Sequence, residues 1–240
     1  MSRAEDEPQY RIPDAPRLGR AIRAALSDFY FNSWRLVPAN LLWGLGLLVV
    51  FAGLFTVPLA ALPFAMVLAL PTVGIFRLAS LIVRERPVAL SDALGAWRSY
   101  FGQALLVGAA LVIITAVLGF NVIVGLFNPE PVLWIIATLA AWGLLATWVV
   151  ALPFWALLTD PLRDEDPLRE RLRLAALLVI ISPLRFGGLW LLMTILLIVS
   201  TIFFAALLTI SIAIIALVVT RYTLPAADRL QRRLTQALPG

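Results

Sequence analysis

The 240-residue chain contains no cysteine, no histidine and no lysine. Without cysteine there are no disulfides and no thiolate metal sites. Without histidine the usual general base and the commonest metal ligand are missing. Without lysine, Schiff-base catalysis and the phosphate-cradling lysine of a P-loop are excluded. The chain also lacks HExxH and GxSxG patterns and a pair of intramembrane aspartates. An enzyme would have to work with Asp, Glu, Arg, Ser and Tyr at the surface. The expectation is therefore no enzyme, no cofactor and no metal.

Charge is scarce as well. Charged residues make up 14% of the chain and hydrophobic residues 62%, with a mean hydropathy of +0.95. An ordinary soluble domain is about a quarter charged. One globular core of this size cannot hide the excess apolar content, and a bilayer is its natural solvent. All 19 basic residues are arginine, and the sequence pI is about 10.6. These arginines flank apolar runs instead of forming one basic face. The expected partner is the lipid bilayer, through anionic head groups at the cytoplasmic face, and not nucleic acid.

Apolar runs of the length a bilayer needs, roughly 20 residues, recur along the chain. Residues 36–56 form the first predicted span. Residues 57–83 form the second, kinked or broken by Pro58, Pro63 and Pro71. Residues 101–127 and 132–158 are the third and fourth. The run 186–220 is 35 residues, about 52 Å as one helix, well beyond a core of about 30 Å. It reads as two short spans with a turn around 203–208, or alternatively as one protruding helix.

Arginine placement gives the orientation. Six arginines lie in 1–35, three in 84–100, five in 159–185 and four after Thr220; Arg77 is inside the second span. The opposite connections hold none. Both termini are expected in the cytoplasm of an inner-membrane, multi-pass protein. Residues 1–35 do not read as a signal peptide. They form an N-terminal arm in which Asp14-Ala15-Pro16 starts an amphipathic helix, with Leu18, Ile22, Ala25, Leu26 and Phe29 on its apolar stripe. The membrane domain is 36–220, and 221–240 is a cytoplasmic tail.

A signature repeats before three spans. Segments 16–35, 90–100 and 168–185 each hold an amphipathic helix, an arginine and then a span, aligned on Arg35, Arg98 and Arg185. Trp34 and Trp97 precede the first two. Three parallel helix-plus-hairpin units would produce this. So would shared interfacial physics, because arginine snorkels and indole prefers the interface. The expected fold is all-α: a polytopic membrane protein with six transmembrane helices and amphipathic cytoplasmic interfacial helices.

Few polar groups lie at depth. Arg77 reads either as snorkelling to the head groups or as paired with Asp160 at the end of span four. Asn40, Gln103 and Asn121 read as interhelical glue or as the lining of a polar path. The alternating charges Asp164, Glu165, Asp166, Arg169, Arg171 and Arg173 read as a solvated helix face or as a docking surface.

The chain resembles the YesL-like family of bacterial integral membrane proteins. The carrying residues are Asn40-Leu41-Leu42-Trp43, Pro71-Thr72-Val73-Gly74, Arg84-Glu85-Arg86, Trp97-Arg98-Ser99-Tyr100-Phe101 and Ser182-Pro183-Leu184-Arg185, within about residues 25–225. The resemblance implies a multi-span helical fold and an association with carbohydrate uptake and breakdown. It carries no catalytic residue. The expected function is an accessory membrane component beside a sugar-transporter subunit; the alternative is a small-solute transporter or channel.

Overall fold

The computed structural model describes residues 17–128 and 130–237, so the Asp14-Ala15-Pro16 helix start and Pro129 lie outside the described residues. Every regular element among the described residues is a helix. They are α1 (Leu18–Thr56), α2 (Pro58–Val67), α3 (Ala69–Val83), α4 (Leu90–Ser99), α5 (Phe101–Phe127) and α6 (Pro131–Leu158). After these come α7 (Leu168–Ile181), α8 (Pro183–Ile202), the short α9 (Phe204–Ala206), a π-turn at Leu207–Ser211 and α10 (Ile212–Ala237). Among the described residues, six helical segments are long and apolar enough to cross a membrane. The chain is a polytopic all-α membrane protein.

The three-unit order is visible. α4 precedes the hairpin α5–α6, and α7 precedes the hairpin made by α8 and α10. The first unit differs, because its amphipathic segment is not a separate interfacial helix. α1 runs unbroken for 39 residues, about 58 Å. Nothing between Phe29 and Leu36 breaks a helix, and the ring of Pro38 is absorbed within α1. The N-terminal part packs on α10. Ala21 and Ala25 carry the contact with Leu18, Ile22 and Phe29 beside them, while Leu26 is half exposed. Asp28 pairs with Arg221 of α10 at 2.8 Å.

The repeated signature does not place its residues alike. The Arg35 guanidinium stacks over Trp34, 4.1 Å from the ring centroid, on the outside of the bundle. Trp97 instead packs inward against α3, where a Cβ on Gly74 would lie 2.6 Å from its Nε1. Packing thus assigns the same residue types different tasks in the first two segments.

Span two breaks where its prolines dictate. Pro71 has no N–H to donate to the carbonyl of Val67, and the helix is interrupted at Leu68. α3 then forms the centre of the protein: from Val73 to Ile82 every residue except Arg77 is buried. α4, α10 and α1 pack closely against it, and α5 and α6 also reach it.

The run 186–220 does turn, at Phe203, with no proline or glycine there. The reversal is held from across the bundle. Asn40 of α1 donates to the carbonyls of Leu207 (3.3 Å) and Leu208 (2.9 Å) and accepts from the Ala213 amide (2.8 Å). A π-turn leaves backbone groups without their usual partners, and in a membrane each must be satisfied within the protein. Gly44, one turn after Asn40, allows the approach: a Cβ there would sit 2.7 Å from the Leu208 carbonyl oxygen.

Candidate functional site

α3, α6 and α10 are the second spans of the three units, and all three run toward the arginine-rich end of the bundle. Their ends are joined by charge. Arg84 follows α3 and donates two bonds to Asp160 (3.0 and 2.7 Å) and two to Asp228 of α10 (2.7 and 3.1 Å). Arg163 closes the circle. It bonds Asp160 directly and reaches Asp228 and Gln231, each at 2.6 Å. Two arginines and two aspartates thus form a closed, charge-neutral ring. The Asp160 side chain is 0% exposed and that of Arg84 8%.

Such a ring is consistent with buried-charge physics. Taking ions out of water costs several kcal/mol each, and only good geometry with full hydrogen bonding offsets it. Here each carboxylate meets both arginines. Burial pulls the Arg84 guanidinium toward losing its proton, and the hydrogen bonds to Asp228 and Asp160 more than reverse this, so it is held above the usual arginine value. Beneath the ring, Ser80 and Thr159 share a hydrogen bond of 3.1 Å.

Arg77 lies two turns before Arg84 on the same face of α3. It is not paired with Asp160, which the ring occupies, and it does not snorkel freely. The chain after Leu158 turns instead of continuing as helix, and this brings Asp164 to Arg77. The pair is bidentate at 2.9 and 2.9 Å. Arg77 also donates to the Tyr100 hydroxyl (3.0 Å) and to the Thr159 carbonyl (3.1 Å). Tyr100 in turn donates to Asp164. Burial, then this hydrogen bond to a carboxylate, raises the Tyr100 pKa well above the ordinary phenol value.

The charged cluster 164–173 therefore divides. Asp164 belongs to Arg77. Arg171, read from sequence as a surface charge, is buried and donates to the carbonyls of Leu158 and Asp164, both at 2.7 Å. It caps carbonyls at the end of α6, a task that a fork of donors suits. Glu165, Arg169 and Arg173 remain exposed, with a loose Arg173–Glu170 pair at 3.9 Å. Asp166 is half-buried, and Glu170 is exposed beside them. Sequence reading gave Arg84, Arg163 and Asp228 no part in a site. The signal was present, since Arg84 follows Arg77 by seven residues and Asp228 follows Arg221 by seven, a two-turn repeat on one helix face.

The three amides do not form a path. Asn40 is consumed by the π-turn. Asn121 bonds the Val117 carbonyl of its own helix. Gln103 lies at the arginine-rich end, on a polar cleft of about 500 Å³ with Arg77, Arg86, Ser91 and Asp164. Between the spans lies instead an apolar cavity of about 620 Å³, open on one side, to which all six spans contribute. Trp43, Phe76, Leu111, Trp155, Trp190 and Ile215 are among its walls. Phe76 and Trp155 meet at 6.5 Å between centroids, one turn before Ser80 and Thr159. The ring and this aromatic pair lie on the arginine-rich side of the cavity. Leu62, Ala116, Trp148 and Leu197 on its walls are exposed, so it is a pocket open to the phase around the spans and not a sealed void.

Compared with family models, curated proteins and solved structures, the chain matches none.

Proposed function

We propose that the protein is a non-enzymatic accessory component of the bacterial inner membrane, with both termini in the cytosol, acting beside a carbohydrate-uptake system. The association with carbohydrate uptake rests on the family resemblance. The structural observation that carries the accessory reading is the fate of the amides: none of Asn40, Gln103 and Asn121 lines a shared path. A carrier of polar solutes needs convergent polar groups at depth. The buried charges here are instead spent on one another at the end of the bundle. Arginine asymmetry supports the orientation, because 18 of the 19 arginines fall on the side assigned to the cytosol and Arg77 is held near it.

The alternative, a small-solute transporter, draws on the central cavity that all six spans reach. Its lining is apolar, which disfavours a sugar as cargo.

Crosslinking followed by pull-down from native membranes tests the reading. Reproducible recovery of a sugar-transporter subunit is the expected result. Sugar flux through liposomes containing this protein alone would overturn it. A cysteine at Glu130 should react with a membrane-impermeant maleimide from outside the inner membrane.

A further inference from the structure

We propose that the central cavity holds one acyl chain of a bilayer phospholipid, admitted beside α8. The inference is independent of the carbohydrate reading.

The pocket, of about 620 Å³, is open on one side and lined almost wholly by apolar side chains, so whatever surrounds the spans fills it. Water does not suit it. A stable buried water needs two to four polar partners, and the hydroxyls on the walls are few. That of Thr72 already accepts from Trp43 (3.1 Å) and donates to the Leu68 carbonyl (2.8 Å). The remaining two, of Thr115 on α5, buried without a hydrogen-bond partner among the described residues, and of Thr194 on α8, would each offer a water one partner, short of the two to four it needs.

A helix from a second copy does not fit either. A helix is about 10–12 Å across, so the volume accommodates fewer than two turns. What remains is a slender apolar chain, and the phase around the six spans consists of such chains. A flexible hydrocarbon can follow an irregular space between indoles and leucines.

α8 is the loosest wall. Its backbone lies close to α6, α7, α9 and the π-turn but not along α10. The two helices meet at Phe186 and Tyr222, 5.6 Å between ring centroids, and again at the π-turn. Between these points Met193, Leu197, Ile212 and Ile215 line the cavity. The exposed wall residues are Leu62, Ala116, Trp148 and Leu197, the last on α8, while Met193 and Ile215 are buried, so a lipid tail enters on the open side next to Leu197 while its head group stays at the interface.

The test is native mass spectrometry of the full chain after detergent washing that strips loosely bound lipid. The expected result is about one phospholipid retained per chain. Ala65→Phe with Ala116→Phe, which fills the cavity from α2 and α5, should lower retention at least tenfold in folded protein. Ile195→Phe, on the outer face of α8 at 50% exposure, should leave it unchanged. Ala116→Leu is the smaller filling to read if the double variant does not fold, and it should lower retention severalfold. No retained lipid in the wild-type protein would overturn the proposal. So would equal retention in the filled and unfilled proteins, or a bound species without an acyl chain.

Discussion

Arg84 and Asp160 face each other through two parallel hydrogen bonds of 3.0 and 2.7 Å, in a setting where the aspartate side chain is 0% exposed. The pair links the end of α3 to the end of α6, and Asp228 extends it to α10. Removing one member leaves its partners charged and buried. Asp160→Asn and Arg84→Ala should each cost about 3–5 kcal/mol, measured by thermal or denaturant unfolding in detergent. A loss below 1 kcal/mol would mean the ring is not formed.

Arg77 couples to Asp164 and not to Asp160. A double-mutant cycle with Arg77→Ala and Asp164→Ala should give an interaction energy of about 1–3 kcal/mol, whereas distant, independent sites add. The same cycle run with Asp160 is the comparison, and its coupling should be clearly smaller. Equal coupling in both cycles would contradict the observed pairing.

Asn40 holds the turn between the fifth and sixth spans. Asn40→Leu keeps approximate volume but strands two carbonyls and one amide, and should cost about 1–3 kcal/mol or more. Gly44→Leu drives a side chain into the Leu208 backbone and should be destabilising by a similar amount. Unfolding in a fixed detergent reads both. Gly19→Ala, where an added Cβ meets nothing within 4 Å, is the control.

Arginines that look alike in sequence should behave differently. Arg171→Met should destabilise by about 1–3 kcal/mol, because it strips donors from the buried Leu158 carbonyl and from the carbonyl of Asp164. Arg169→Ala and Arg173→Ala should stay within about 0.5 kcal/mol, as exposed substitutions usually do. Comparable effects at all three positions would restore the reading of one uniform charged face.

Tyr100 gives a pH dependence with a defined sign. Its pKa in the folded protein is raised by burial and by the hydrogen bond to Asp164. The unfolded chain ionises near pH 10, so the stabilisation is complete below that value. It is lost as pH rises from about 10 through the folded pKa. The stability difference between wild type and Tyr100→Phe should therefore shrink between pH 8 and pH 11. A constant difference would remove Tyr100 from the linkage.

The sequence by itself determined the six spans, because apolar length is a local property and the bilayer sets its threshold. It determined the side on which charge gathers, since arginine is costly at depth wherever it sits. It also marked the break in span two, where a missing proline N–H acts within one turn. What it left undecided was pairing. Arg77 had several acids within reach of its helix end, and only the reversal after Leu158 brings Asp164 to it and leaves Asp160 to Arg84. Arg171 and Arg173 differ by two residues on one helix, yet α6 covers the first and leaves the second exposed. The turn at Phe203 had no local breaker; its support comes from Asn40, 173 positions away from the Ala213 amide it receives. Hydrogen bonds and ion pairs between segments distant in sequence depend on where whole helices pack, and that is a property of the tertiary structure alone.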